Sequence, residues 1–151
     1  MPFDEFAAAV GPRLRAALVA AYGAPAGLDA AADAMAYGWE HWTRLSTLGN
    51  PAGYLYRVGQ TAARRGRRGD VVLPAPLASE LPDFDPGLIP ALKQLTEQQR
   101  VTVMLVHGHG WSQTDVAELL NVTHATVRTH LARAIAHLQD QLEERQHADE
   151  R

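Results

Sequence analysis

The sequence predicts an all-α protein of two small helical domains joined by a Pro-rich linker, the C-terminal domain a helix-turn-helix. Three observations carry this expectation. Apolar residues recur at spacings of three and four on both flanks of the chain, and neither flank alternates with β-branched enrichment as strands would. Pro74, Pro76, Pro82, Pro86 and Pro90 crowd one short stretch, interleaved with Glu80, Asp83 and Asp85, and proline at that density cannot continue a helix. Further on, two helical patterns are separated only by Asn121-Val122. The expected boundaries are a helical domain over 1–69, an acidic linker over 70–87, the helix-turn-helix domain over 88–143 and a charged tail over 144–151.

The first helix runs from Phe3 to Tyr22 on the stripe Phe6, Val10, Leu14, Leu18 and Val19, interrupted by Gly11-Pro12. Gly23-Ala-Pro-Ala-Gly27 breaks the pattern, and Asp29 reads as the cap of a helix ending at Trp42. A loop from Thr43 to Gly49 leads into Asn50-Pro51, where Asn at the cap and Pro at the first helical position signal a start. That helix puts Leu55, Val58, Gly59 and Ala62 on one face. Its other face carries Tyr54, Arg57, Thr61, Arg64 and Arg68, a row that a solvated surface would also explain. The linker that follows would reach roughly 60 Å at ~3.1 Å per residue if extended.

In the C-terminal domain Leu88 to Leu95 forms a short helix. Thr96 with Gln99 three positions on is a capping-box signal for the next, whose stripe is Val101, Met104 and Leu105. Gly108-His109-Gly110 ends it. Ser112 with Asp115 opens the helix Gln113–Leu120, and Thr123 caps a long last helix with Val127, Leu131, Ile135, Leu138 and Leu142 inward. Val116, Ala117, Leu120, Val122 and Val127 occupy the positions that bury the crossing of the two helices. Asn121 stands where glycine is usual and tolerates the left-handed conformation. From Gln139 onward the charges alternate and the helix is expected to fray.

Composition narrows the function. With no Cys there is no thiolate nucleophile, no disulfide and no Cys-based zinc site, which suits a reducing cytoplasm. No run approaches the ~20 apolar residues of a membrane-spanning helix, so no membrane insertion is expected. The net charge is −3, yet residues 1–73 hold eight Arg against six acids, and five of the eight acids in 96–151 lie from Asp140 onward. A local basic face can therefore coexist with an acidic total. Among seven His, His107 and His109 form the only close pair; alternate residues do not share a helix face, so no metal site and no cofactor is expected. No Gly-rich phosphate loop and no nucleophile–base arrangement can be argued, so the chain does not read as an enzyme.

Thr96-Glu-Gln-Gln-Arg100, Gly110-Trp-Ser112, Val116-Ala-Glu-Leu-Leu120 and Thr126-Val-Arg-Thr-His-Leu-Ala-Arg133 resemble region 4 of bacterial sigma factors. They also resemble the DNA-binding domain of LuxR-type regulators. The upstream half separates the two: Asn50-Pro-Ala-Gly-Tyr-Leu-Tyr-Arg-Val58 and Ala62-Ala-Arg-Arg65 are similar to the region 2 helix of extracytoplasmic-function (ECF) sigma factors. This resemblance implies two partners, core RNA polymerase and double-stranded promoter DNA, with an anti-sigma factor as a further one. It assigns Thr123, His124, Thr126, Arg128, Thr129 and Arg133 to −35 DNA in the major groove. Asn50, Tyr54, Arg57, Thr61, Arg64 and Arg65 would meet the −10 region, and the loop Thr43–Asn50 would hold a flipped base. Asp29, Asp33, Trp39 and Trp42 would contact the polymerase. The chain departs from the family there, since Asp29 and Asp33 are spread among alanines, with Gly38 inside the helix. Two other readings remain: a DNA-binding regulator that does not direct polymerase, and an interaction module that sequesters an anti-sigma factor.

Overall fold

In a computed structural model of the chain, residues 1–66 and 87–150 are described; the linker expected at 70–87 lies, except for Gly87, outside them, as do Arg67 and Arg68. The described residues form helices without a strand. The N-terminal lobe holds α1 (Phe3–Tyr22), α2 (Ala26–Glu40), α3 (Trp42–Leu45) and α4 (Pro51–Gly66).

Helix α1 passes through Gly11-Pro12 without a break, burying Gly11, Leu14, Ala17 and Leu18. Helix α2 begins at Ala26, ahead of the expected cap, so Asp29 lies in its first turn, where a carboxylate complements the helix dipole. Its buried face is made of small residues: Gly27, Ala30, Ala31, Ala34 and Gly38. That explains the alanine-rich stretch physically, because small side chains let α1 and α4 approach closely. At Gly38 a Cβ would stand 2.9 Å from Leu55 Cδ1 of α4, so the glycine, which costs a helix roughly 1 kcal/mol, leaves the room that side chain occupies. The stretch expected as a loop begins with the short α3, whose Leu45 is fully buried.

The C-terminal lobe holds α5 (Leu88–Gln94), α6 (Glu97–Val103), α7 (Gln113–Leu120) and α8 (His124–Asp149). Helix α6 starts with a complete capping box: Gln99 N–H donates to Thr96 Oγ1 at 3.2 Å, and Thr96 N–H donates to Gln99 Oε1 at 3.3 Å. It runs on into one wider π-type turn, Met104–Gly108, and the chain leaves through Gly110 at φ 71°. Val101, Leu105, Val116 and Val127 have no exposed surface and centre this core. Helix α8 is the spine on which α5, α6 and α7 pack. It continues to Asp149, through residues expected to fray, with Asp140, Glu143, Glu144 and Arg145 in solvent.

The two lobes are in contact. Helix α1 packs against α6 and the turn after it, and α4 against α7. Arg100 is the centre of that junction. Its side chain is 3% exposed; Nε donates to the Ala20 carbonyl at 2.9 Å, Nη1 to the Leu95 carbonyl at 3.3 Å, and Nη2 to the Ala21 carbonyl. Ala20 and Ala21 lie in the last turn of α1, whose carbonyls have no partner within the helix and carry its negative dipole end. A guanidinium with its planar fork of donors meets both needs at once.

Candidate nucleic-acid interface

The helix-turn-helix is α7, the turn Asn121–Val122 and the start of α8. Asn121 adopts the left-handed conformation (φ 54°, ψ 49°), and the Val122 N–H returns to the Ala117 carbonyl at 3.0 Å, closing α7 tightly. Thr123 then caps α8: its Oγ1 accepts from Thr126 N–H at 3.1 Å and lies 2.8 Å from Thr126 Oγ1. Val116 and Val127 are fully buried at the crossing, with Leu120 nearly so and Ala117 and Val122 partly covered. The crossing thus turns one row of α8 outward. Thr123, His124, Arg128, Thr129 and Arg133 are exposed, while Thr126 is half-buried by its contact with Thr123. The Thr129 hydroxyl donates to the Ala125 carbonyl at 3.0 Å, leaving its oxygen to accept from outside.

Helix α4 carries the second set. Asn50 does cap it, accepting from Gly53 N–H at 2.9 Å. Arg57, Thr61, Arg64 and Arg65 are exposed along one side, and Tyr54 is half-buried. Tyr56 instead points inward and is 2% exposed. Arg64 is engaged within the protein, its Nη2 3.0 Å from Glu97 Oε2. This salt bridge, and Tyr22 after it, keep the Arg64 guanidinium charged even more firmly than usual.

Sequence reading missed a cluster at the foot of the loop before α4. Tyr37 stacks on His41 with ring centroids 4.1 Å apart, and its hydroxyl lies 3.5 Å from that of Tyr54. Arg44 donates to the Tyr37 hydroxyl at 2.8 Å and stands 5.8 Å above the Tyr54 ring. The contact between the two hydroxyls raises the Tyr37 phenol and lowers the Tyr54 phenol, which Arg44 also favours in its charged form. The four-residue spacing of Tyr37 and His41 was the available signal, but Arg44 joins them only because α3 turns the chain back.

The four residues assigned to polymerase contact do not share a surface. Asp29, Asp33 and Trp39 lie on the outer side of α2, with Trp39 69% exposed. Trp42 turns the other way: its ring packs on Phe6 and Phe3 at 4.6 and 5.6 Å, and its indole N–H donates to the Met1 carbonyl at 2.9 Å.

Among the described residues no group of three or more His, Asp or Glu is placed to hold a metal ion, and no helix is long and apolar enough to cross a membrane.

Comparison with known proteins agrees with this geometry. Residues 88–138 match the sigma-70 region 4 family. A solved structure of the sigma factor RpoE in complex with the anti-sigma factor NepR, from Bartonella quintana, superposes with a TM-score of 0.64 at 20% sequence identity. The match covers 93% of this chain and 96% of that one. No curated protein matches the chain significantly in sequence. Residues 88–138 are thus similar to sigma-70 region 4, and the chain that carries them shares the fold of that sigma-factor structure.

Proposed function

We propose that the protein is a sigma factor of the ECF type, which binds core RNA polymerase and directs initiation at particular promoters. The observation that carries this reading is the exposed row on α8, presented by a tight left-handed turn and a threonine cap. A helix so presented enters the major groove, with Thr123 and Thr126 at its N-terminal end toward phosphate oxygens and Arg128 toward base edges. Arg133, one turn on, takes a phosphate. In the N-terminal lobe Arg57, Thr61 and Arg65 meet the backbone of the −10 region, and the Tyr37–His41–Tyr54 cluster offers ring faces to an unstacked base. Base–aromatic stacking contributes about 1–3 kcal/mol per base.

Asp29, Asp33 and Trp39, all exposed on α2, supply its contacts to the polymerase. The C-terminal lobe has a further seat for a partner, an apolar groove of about 440 Å³ walled by Leu88, Leu92, Met104, Ile135, Leu138 and Leu142. Helical segments dock in grooves of this kind. We assign it to protein partners, among them an anti-sigma factor such as the one bound by the Bartonella protein.

Run-off transcription with bacterial core polymerase, on the DNA upstream of the protein's own gene, tests the reading. Specific transcripts that require the protein are expected, together with comigration with core enzyme on gel filtration. Failure to comigrate, with duplex binding retained, would replace it by a DNA-binding regulator that does not direct polymerase.

A further inference from the structure

The C-terminal lobe does not need its apolar groove to close its own core. Val101, Leu105, Val116 and Val127, which centre the lobe, have no exposed surface, and none of them lines the groove. The deepest groove residues, Leu92, Val103 and Met104, are buried, while Ile135, Leu138 and Leu142 of α8 are half-buried along its wall. The wide turn after α6 forms part of the wall as well. There the His109 N–H returns five residues to the Met104 carbonyl at 3.0 Å, and Met104, His107 and Gly108 all border the groove. Single π-type turns of this kind are frequent at functional sites.

Size and chemistry narrow what fits. The volume of about 440 Å³ falls within the ~300–1,000 Å³ of small-molecule sites. A methylene is close to a water molecule in size, and at ~30 Å³ each the space takes roughly a dozen of them. A single unbranched chain can lie along the buried floor, which a helix laid across the rim reaches only with its side-chain tips. Met104 has the rotatable, polarizable side chain that adapts to such a chain. Among the described residues that line the groove none is Asp, Glu, Lys or Arg, and its polar side chains are the exposed His107 and Gln139. Both can donate a hydrogen bond, and no lining carboxylate opposes an acidic head group.

We infer that this groove binds a free medium-chain fatty acid, its alkyl chain against Leu92, Met104 and Leu138 and its carboxylate accepting from His107 and Gln139. The site stands on the groove alone. Its consequence rests on the reading that the same groove seats a protein partner. Chain and partner cannot occupy it together, so the ligand lowers the partner's apparent affinity in proportion to the fraction of grooves it fills.

Calorimetric titration of the full-length protein with hexanoate, octanoate and decanoate tests the site. Kd is expected to fall about tenfold for each added pair of methylenes. Decylamine, which loses the charge-assisted hydrogen bonds of the carboxylate, should bind about tenfold more weakly than decanoate. Leu142→Gln should weaken decanoate about tenfold, whereas Leu28→Gln, exposed on α2 of the other lobe, should leave it unchanged. An affinity indifferent to chain length, or lowered alike by both variants, would overturn the site. The chain-length series uses the unaltered protein, so it decides even where Leu142→Gln fails to fold. No binding of decanoate would also overturn it: a dimer on gel filtration would then give the groove to a second copy, and a monomer would leave it to a helical partner alone. Saturating decanoate is expected to reduce comigration with core enzyme, and undiminished comigration would overturn the consequence. Should the protein fail to comigrate without decanoate, the sigma-factor reading fails, while the titrations still decide whether the groove takes a fatty acid.

Discussion

Gly27 brings the start of α2 onto the backbone of α1: a Cβ at this position would stand 2.5 Å from Val19 Cα and 2.6 Å from the Leu18 carbonyl oxygen. Those atoms belong to a regular helix and cannot swing aside as a side chain can. Gly27→Ala should therefore force the two helices apart, costing about 1–3 kcal/mol as overpacking does. Urea denaturation would show the midpoint fall. An unchanged midpoint would mean that α2 shifts freely along α1.

The two tryptophans that flank Glu40–His41 separate binding from folding. Trp39 is largely in solvent, so Trp39→Ala should leave the denaturation midpoint nearly in place. On the proposed reading it should weaken core polymerase by about 2 kcal/mol, as truncating an aromatic anchor does. Trp42 lies against Phe3 and Phe6, and Trp42→Ala should cost about 3 kcal/mol of stability. Titration of labelled protein with core enzyme, beside denaturation of each variant, checks both. Equal losses of binding from the two, scaled to folded protein, would remove Trp39 as the anchor.

Two phenols at the lobe junction make stability fall in alkali. Burial, then the Glu97 carboxylate nearby, raises the Tyr22 hydroxyl above its ordinary value, and the same causes raise Tyr56 further. In the unfolded chain both lose their protons near pH 10. Above that pH the unfolded state binds fewer protons than the native state, so native stability declines as pH rises and is fully present below it. Denaturation midpoints should be level from pH 8 to about 9.5 and fall beyond pH 10. Tyr56→Phe should flatten that fall; a fall as steep as in the parent would place its cause elsewhere.

The helix-turn-helix was legible because every part of it is local. Asn121, Thr123, Thr96 with Gln99, and Ser112 with Asp115 act within four residues of themselves, and each behaves in the structure as its spacing implies. The lobe junction was not legible, because Arg100 meets carbonyls eighty positions away and nothing in its neighbourhood marks them. The same limit applies to Arg64, which reads as part of a free basic row until Glu97 arrives from the other lobe. Helix α2 looked defective from its alanines and Gly38. Its small residues become intelligible only when α1 and α4 are placed against them. The expected fraying beyond Gln139 followed from alternating charge, but Asp140, Glu143, Glu144 and Arg145 lie in solvent along α8 and leave its backbone ladder intact.

Arg128 and Arg133 sit five positions apart on α8, both exposed, and should fail differently when truncated. On the proposed reading Arg128, nearer the capped end, reads a base edge. Arg128→Ala should lower affinity for the correct −35 duplex by about 1–3 kcal/mol and relax the preference at one base pair. On the same reading Arg133 meets a phosphate, so Arg133→Ala should weaken all duplexes alike and reduce the slope of log affinity against log salt by about one. Thr123→Ala should instead loosen the start of α8, costing about 1 kcal/mol of stability through the lost cap. Anisotropy titrations of matched and single-mismatch duplexes at several salt concentrations distinguish these effects. If Arg128→Ala changed only the salt slope, the two arginines would exchange roles. If neither changed binding, the outward row of α8 would not be the DNA surface, and the function proposed for this lobe would fall with it.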